Sequence, residues 1–377
     1  MSAFGLRKQY RDILVRKLEE GGFTFFAEGG ARWLGTWLSD RVKRPLVGPS
    51  IGTLIITYRC NYFCEFCELP ARAVRRKKEG IREFTPAEMI DLVRGFKSIR
   101  TAGVGITGGE PMIRTDLCDV LAEIERLGMV SHVNTNGHFL SKGNVRDLIR
   151  TGIHSVNISL DAPDAETHNR IRGNRRSFDH ILGGIEELLR QRKKRRPRIG
   201  ITTVLTSSNL EKAFEMADLV KELGVDSLGF IPVHEYHDGL DAGEMLRRRE
   251  FAEKSVAVME RIGTHPGGVI ENSKGYLSLF PRCFAGEPSG LKCYAPYGST
   301  VVDCYGRVFP CVPFSEIDEP IATIRADGLP ACWRSKAYEA KRRELRNCQA
   351  CYWNCHTEMN LLFQRAPRDG VKAGGDR

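Results

Sequence analysis

The chain has 377 residues, of which 41% are hydrophobic and 28% charged, and its formal net charge is +10. This apolar fraction excludes a chain that is disordered throughout. No run of about 18 apolar residues occurs, which excludes a typical membrane-spanning helix. Length predicts roughly two domains. The positive charge favours a membrane surface, a nucleic acid or an anionic substrate as partner, without choosing among them.

The first 50 residues are predicted to form an N-terminal amphipathic helical segment. Apolar side chains recur at helical spacing in 6–20 and in 31–43, and basic side chains lie off the second of these faces. Such faces suit either peripheral contact with a lipid surface or packing as a helical cap on the rest of the protein. No secretion signal precedes them, so we expect a cytoplasmic protein, with association at the inner face of the membrane as a further hypothesis.

From residue 51 onward, apolar β-rich runs alternate with helical patterns. The predicted strands are 51–58, 103–107, 130–135, 154–160, 199–205 and 226–232. Repeated βα units predict parallel strands with right-handed crossovers. Six units are fewer than the eight that close a full barrel. The predicted fold class is therefore α/β, with a partial (β/α)6 TIM-like barrel over 51–240.

The remaining residues are predicted to form three segments. A helical linker covers 241–282, a small Cys-rich C-terminal domain covers 283–363, and a disordered tail covers 364–377. The C-terminal domain contains eight of the 12 cysteines, and residues 299–311 are typical of a β-hairpin. Grouped cysteines in a chain without an export signal favour metal ligands over disulfides.

The first cysteine group directly follows the first predicted strand. Cys60, Cys64 and Cys67 have the spacing C-x3-C-x2-C. Three thiolates suit an iron–sulfur cube that leaves one iron open to a small ligand. A structural zinc ion would want a fourth Cys or His at matching spacing, and apart from an isolated Cys118 none occurs before His132.

This spacing, with an aromatic residue before the last cysteine, resembles the signature of radical S-adenosylmethionine (SAM) enzymes. The resemblance implies a catalytic [4Fe–4S] cluster on Cys60, Cys64 and Cys67, with SAM chelating the open iron. Reductive cleavage of SAM would give a 5′-deoxyadenosyl radical that abstracts hydrogen from the substrate, and a reductant such as flavodoxin or ferredoxin would supply the electron. The cofactor carries this chemistry, while the protein aims it and excludes water.

Polar residues recur after the later strands, where parallel barrels place their functional groups. The stretch Thr107–Pro111 resembles the family's Gly-Gly-Glu motif, which holds the SAM amino group. The resemblance further implies that Arg172 contacts the SAM carboxylate and that Val204 lines the adenine. The complete implied set of SAM-binding residues is Phe66, Gly108, Gly109, Glu110, Asn136, Ser159, Asp161, Arg172 and Val204.

Two histidines follow the sixth predicted strand. His234 and His237 could face the substrate or act as acid and base. The alternative is a polar loop with ordinary hydrogen bonds.

The C-terminal cysteines have a second recognisable spacing. C-x12-G-x4-C across the predicted hairpin, followed by C-x2-C, resembles the SPASM or twitch extension of radical SAM enzymes. The resemblance implies one auxiliary [4Fe–4S] cluster on Cys293, Cys311, Cys348 and Cys351, with Cys355 as a replacement ligand. The full SPASM pattern would continue beyond Cys355, so two auxiliary clusters are not expected. Structural zinc is the alternative. The remaining C-terminal cysteines, to which no partner is assigned, are Cys283, Cys304 and Cys332.

The sequence thus predicts a radical SAM enzyme, an oxidoreductase or transferase, that acts on an unidentified small-molecule or lipid-associated substrate. A peptide-modifying SPASM maturase is the alternative, ranked second because residues 1–50 lack the strands of a leader-peptide-binding module. An alternative of another class is a non-catalytic scaffold that binds zinc or nucleic acid. No nucleic-acid partner is expected, because no RNA-binding module is recognisable and the basic run 190–198 lacks interleaved aromatics. That run is either a docking site or a solvated loop.

Overall fold

The computed structural model describes residues 23–234, 249–364 and 366. Helices and strands alternate along most of it. The strands are β1 (Ile51–Thr57), β2 (Gly103–Gly108), β3 (Val130–Thr135), β4 (Ser155–Ser159), β5 (Arg198–Leu205), β6 (Ser227–Pro232), β7 (Ser299–Asp303), β8 (Arg307–Phe309) and β9 (Ala322–Thr323).

The first helix of the barrel region precedes β1, and the others lie between the strands. They are α1 (Phe23–Val42), α2 (Leu69–Lys78), α3 (Pro86–Ser98), α4 (Leu117–Arg126), α5 (Lys142–Arg150), α6 (Ala165–Arg172), α7 (Ser177–Gln191) and α8 (Ala213–Glu222). Those of the C-terminal part are α9 (Arg249–Gly263), α10 (Lys274–Leu277), α11 (Phe280–Phe284), α12 (Ala295–Gly298), α13 (Val312–Glu316), α14 (Leu329–Trp333), α15 (Lys336–Glu344) and α16 (Asn354–Leu361).

Local sequence explains how these elements begin and which faces they bury. Helix α3 starts at a capping box in which Thr85 and Glu88 satisfy each other's backbone N–H groups, with Pro86 in the first turn. Strand β1, IGTLIIT, is buried along nearly its whole length. Both of its faces are therefore covered by other parts of the protein, as expected for a parallel strand.

Among the described residues, one sheet has the strand order β6-β5-β4-β3-β2-β1-β7-β8-β9. Strands β1 to β6 pair in parallel, each with the next along the chain. The sheet is not closed, so the predicted partial barrel is confirmed. The carboxyl ends of all six strands lie at one edge, where functional groups collect in such folds.

The C-terminal hairpin joins the barrel sheet instead of standing apart from it. Strands β7 and β8 pair antiparallel, as predicted, but β7 also pairs in parallel with β1, from Ile51 opposite Ser299 to Ile55 opposite Asp303. An open barrel leaves the outer edge of β1 with unpaired N–H and C=O groups. Strand β7 satisfies them, and this directly connects the strand before Cys60 to the Cys-rich region.

Helix α1 buries a different face from the one that its apolar pattern predicts. Ser39 and Asp40 are buried, whereas Trp33 is 44% and Leu34 is 47% exposed. The polar face is held by specific contacts: Leu46 N–H donates to Ser39 Oγ at 2.9 Å, and Lys292 pairs with Asp40. The predicted helix in 6–20 lies outside the described residues. Within the described parts of the chain, no helix is long and apolar enough to cross a membrane.

Acidic partners neutralise much of the basic run 190–198. Arg192 and Arg195 both pair with Asp226, and Arg196 pairs with Glu125 at 3.2 Å. These ion pairs fasten the loop between α7 and β5 to the barrel.

Candidate active site

One cavity lies at the carboxyl ends of strands β1 to β4. It is lined by Cys60, Tyr62, Cys64, Phe66, Cys67, Thr107, Gly108, Gly109, Asn134, Thr135, Asn136, Ser159 and Arg172. The structure thus gathers the three cysteines and six of the predicted SAM-binding residues around one space. The other three predicted residues, Glu110, Asp161 and Val204, lie behind this lining and support it.

The cysteine loop folds back on itself and onto the end of α6. Cys67 N–H donates to the Cys64 carbonyl at 3.1 Å, and Glu65 N–H donates to the Ile171 carbonyl at 3.0 Å. Burial raises the pKa of all three thiols, that of Cys67 to about 12. Without a metal these thiols stay protonated. A bound cation would offset the cost of ionising them, so metal binding must release protons.

Gly108 and Gly109 allow the end of β2 to approach the end of β1 closely. Gly108 has a φ of +138°, and a Cβ on Gly109 would lie 2.2 Å from the Arg59 carbonyl oxygen. In return, Gly109 N–H donates to the Thr57 carbonyl and Glu110 N–H donates to the Arg59 carbonyl, each at 2.9 Å. Only glycine tolerates this geometry. This close approach of the two strand ends places the Gly-Gly backbone against the start of the cysteine loop.

The Glu110 carboxylate lies behind the cavity lining and is fully buried. It accepts hydrogen bonds from Met112 N–H at 2.9 Å, Thr135 Oγ1 at 2.8 Å and Asn136 N–H at 2.7 Å. Burial raises its pKa to about 7, against the effect of these donors. The sequence-based expectation gave this carboxylate to the SAM amino group. In the structure it fixes the loop after β3, which carries Asn136, and its contact with SAM stays a prediction.

Arg172 and Asp161 form a buried ion pair behind the cysteine loop. Arg172 Nε lies 2.6 Å from Asp161 Oδ2, and Arg172 Nη1 lies 3.7 Å from Cys64 Sγ. The guanidinium also lies over the Phe66 ring, 5.5 Å from its centroid. Val204 N–H donates to Asp161 Oδ1 at 2.9 Å. Val204 therefore contributes its backbone to the site, whereas its side chain packs against the core and does not line the cavity.

Tyr62 also lines the cavity, although it is not among the residues that the family resemblance implies. It is 1% exposed, and its hydroxyl lies 3.3 Å from His138 Nδ1. Its place between Cys60 and Cys64 was the sequence feature that could have predicted this position.

The C-terminal cysteines form a second, more enclosed group. Burial raises the pKa of the Cys311 thiol well above its usual value, and Cys293, Cys348 and Cys355 raise it further. The pKa of Cys351 is raised in the same way by burial and by Cys311, Cys293 and Cys355. All five candidate ligands, Cys355 included, therefore lie near one another. Aromatic and apolar side chains surround them, including Tyr294, Met359, Phe314 and Phe363.

The remaining C-terminal cysteines contact other groups. Cys304 Sγ lies 3.8 Å from Glu83 Oε1, and Cys283 Sγ lies 3.9 Å from the Val233 carbonyl. Arg342 lowers the pKa of Cys332, but burial has the larger effect and raises it to about 11. Within the described residues, no three His, Cys, Asp or Glu side chains are placed to bind a single metal ion. A four-iron cube instead distributes its thiolates over several irons.

His234 follows β6 and packs against the C-terminal cysteine segment. Its ring lies 5.5 Å from that of Trp353, and burial lowers its pKa to about 4. The imidazole is therefore neutral at physiological pH. His237 lies outside the described residues.

Comparisons with known proteins agree with this geometry. The model of the radical SAM superfamily matches residues 54–220, and that of SPASM, an iron–sulfur cluster-binding domain, matches 293–356. The PqqA peptide cyclase of Streptomyces rochei is 27% identical over 307 residues, which are 79% of each chain. A probable GTP 3′,8-cyclase of Metallosphaera sedula is 29% identical over 221 residues, 58% of this chain and 65% of that protein.

Solved structures with a similar fold include SuiB from Streptococcus suis. Its complex with SAM has a TM-score of 0.63 and 18% identity, over 88% of this chain and 79% of SuiB. Its complex with the precursor peptide SuiA has a TM-score of 0.61 and 18% identity, over 90% of this chain and 78% of SuiB.

Proposed function

Because the chain belongs to the radical SAM superfamily and carries a SPASM-type iron–sulfur domain, we propose that it modifies a peptide by hydrogen abstraction at the cavity above β1 to β4. The observation that carries the SAM chemistry is this cavity, which brings three cysteine thiols and six further predicted residues to one space. Cys60, Cys64 and Cys67 are the proposed ligands of the SAM-binding cluster.

The peptide substrate is supported by a relative whose match covers most of the chain. The PqqA peptide cyclase aligns over 79% of this chain, whereas the GTP 3′,8-cyclase aligns over 58%. SuiB, which binds a precursor peptide, shares the fold over most of both chains. The peptide alternative therefore replaces the small-molecule or lipid substrate as the favoured hypothesis. The lack of predicted leader-binding strands in residues 1–50 counts less against a peptide substrate, since 1–22 lie outside the described residues.

The residues of the cavity fit a [4Fe–4S] cluster with SAM beside it. When bound, these groups supply one-electron cleavage of SAM and hydrogen abstraction from the substrate. Three buried or half-buried thiols give the donor set of a cube with one open iron. The Arg172 guanidinium gives a cation at the cavity wall for a carboxylate. An external electron donor, such as flavodoxin or ferredoxin, is part of the proposal.

The other residues of the site position these groups and exclude water. The Gly-Gly backbone forms the wall beside Cys60, and Glu110 holds the loop that presents the Asn136 amide. Asn136 Nδ2 donates to Asn61 Oδ1 at 2.9 Å, which connects this wall to the cysteine loop. Tyr62 and Phe66 cover the cavity with aromatic surface.

Four of the five candidate C-terminal cysteines are proposed to bind one auxiliary [4Fe–4S] cluster, with Cys355 as a replacement ligand. Four thiolates saturate one cube, and Cys293, Cys311, Cys348 and Cys351 supply them. An enclosed and fully ligated cluster suits electron transfer. Held by these residues, the cluster would supply a one-electron acceptor for an oxidation at the first site.

Anaerobic reconstitution tests the cofactor proposal. Wild-type protein should bind about eight irons and eight sulfides per chain, as two cubes require, and should cleave SAM when reduced. The Cys60→Ala/Cys64→Ala/Cys67→Ala variant should keep about four of each and lose SAM cleavage. Retained cleavage in this variant, or a wild-type chain that binds only zinc, would contradict the assignment.

Deuterium transfer tests the substrate class. A short peptide encoded beside the gene, made with deuterated side chains, should transfer deuterium into 5′-deoxyadenosine. Deuterated GTP and a deuterated lipid extract serve as comparisons. Transfer from either of these, with none from the peptide, would reject the peptide proposal while leaving the cofactor assignment standing.

A further inference from the structure

A buried arginine connects the two cysteine sites. Helix α2 begins two residues after Cys67 and carries Arg72, which is 5% exposed. Its guanidinium reaches into the C-terminal domain, where Nη1 donates to the Ser315 carbonyl at 2.8 Å and Nη2 donates to the Glu316 carbonyl. These are the last two residues of α13. Carbonyls at the end of a helix have no partner within it, so Arg72 satisfies groups that would otherwise be buried without one.

The opposite end of α13 is at the C-terminal cysteine group. Cys311 is the N-cap residue of α13. One five-residue helix therefore extends from an auxiliary ligand to the helix that leaves the first cysteine loop.

A second set of contacts holds the first cysteine loop, Cys60–Cys67, from both sides. After the loop, Arg76 of α2 pairs with Asp318 at 2.7 Å. Asp318 also pairs with Arg307, whose Nε donates to Asp303 at 2.7 Å. Before the loop, the Tyr58 hydroxyl donates to Asp303 at 3.1 Å. The C-terminal domain thus fastens the chain two residues before Cys60 and again in the helix that follows Cys67.

We propose that Arg72 is a positioning residue, which sets the Cys60–Cys67 loop for SAM binding by fixing α2 against α13. This inference rests on the proposed function, because it assigns the loop to SAM. Arginine suits the position since its rigid fork donates to two carbonyls at once, whereas lysine offers a single point charge. Residues that orient the ligands of a metal site commonly change affinity about 10- to 100-fold when they are replaced.

Three variants and one spectroscopic readout test the proposal. Arg72→Met keeps the aliphatic stem and removes every donor, Arg72→Lys keeps the charge, and Arg75→Met changes an exposed arginine of the same helix. After anaerobic reconstitution, SAM is titrated into the reduced protein and the SAM-dependent change in its electron paramagnetic resonance spectrum is followed. Iron content and the thermal midpoint are measured on the same samples.

Arg72→Met should bind SAM about 10- to 100-fold more weakly than wild type, with Arg72→Lys in between and Arg75→Met unchanged. The iron of the auxiliary cluster should remain in all three. Wild-type SAM affinity in Arg72→Met would overturn the inference. So would loss of all iron in Arg72→Met without rescue by lysine, since that marks a general folding residue. A wild-type protein with no SAM-dependent spectral change would instead refute the proposed function.

Discussion

The two cysteine sites differ in what surrounds them. Cys60, Cys64 and Cys67 are partly exposed and line a cavity with polar groups from four strands. Cys293, Cys311 and Cys351 are 7–8% exposed, whereas Cys348 and Cys355 are half-buried. Aromatic side chains pack against Cys293, Cys311 and Cys348. An open site gives a small ligand access to the metal, whereas a closed site limits it to structure or electron transfer. The difference supports the proposal that SAM binds at the first site.

Removing a ligand of the closed site should have the largest effect on iron content and thermal stability. Cys311→Ala should lose the auxiliary cluster, about four irons per chain, and lower the thermal midpoint, because cluster binding contributes to folding. SAM should still perturb the spectrum of the first cluster. Cys355→Ala should retain all its iron, since the four proposed ligands, Cys293, Cys311, Cys348 and Cys351, all remain. Equal losses of iron in the two variants would show that Cys355 is a ligand.

The ion pair behind the open site should give the next largest effect. Arg172→Met leaves Asp161 buried without its cation, which typically costs about 3–5 kcal/mol of the free energy of unfolding. Chemical denaturation measures this loss, and SAM binding should weaken as well. The double variant Asp161→Asn/Arg172→Met should recover much of the stability but not the SAM affinity. If Arg172→Met alone were as stable as wild type, the pair would not support the site.

Gly109→Ala should destabilise the open site by steric overlap. Its Cβ would lie 2.2 Å from the Arg59 carbonyl oxygen, and overpacking of this kind costs about 1–3 kcal/mol. The matched control is Gly143→Ala in α5, where a Cβ meets nothing within 4 Å and the helix should gain up to about 1 kcal/mol. Similar denaturation midpoints for the two variants would show that the Gly-Gly wall tolerates side chains.

The smallest expected effect is a pH dependence from His168. Burial lowers its pKa to about 3, and its Nδ1 accepts the Asp161 N–H at 3.1 Å, which requires the neutral ring. The unfolded state binds the proton more tightly than the folded state does. The stability that the neutral His168 ring contributes is therefore fully present above pH 6.5 and is lost as pH falls towards 3. Its contribution to the slope of unfolding free energy is at most about 1.4 kcal/mol per pH unit.

Denaturation of the metal-free protein between pH 7.5 and 5 measures this slope. His168→Gln should flatten it, whereas His180→Gln changes an exposed ring and serves as the control. An unchanged slope in His168→Gln would show that this ring is not the group responsible.

The sequence by itself determined the partial barrel, the cysteine groups and the hairpin, because each depends on spacing within a short segment. Periodic apolar runs produced the strands, and C-x3-C-x2-C placed three thiols on one loop. The cavity residues after β2, β3 and β4 were found for the same reason. They follow strand ends, and parallel strands end at a common edge.

Tertiary structure alone decided where Glu110 points, which edge β7 joins and what Arg72 contacts. Arg72 and Ser315 are 243 residues apart along the chain, and no local pattern records such a partner. The polar face of α1 is buried for a related reason, since Lys292 and the backbone at Leu46 satisfy it. Apolar periodicity predicts which face prefers burial, but specific hydrogen bonds and ion pairs made on folding determine which face is buried.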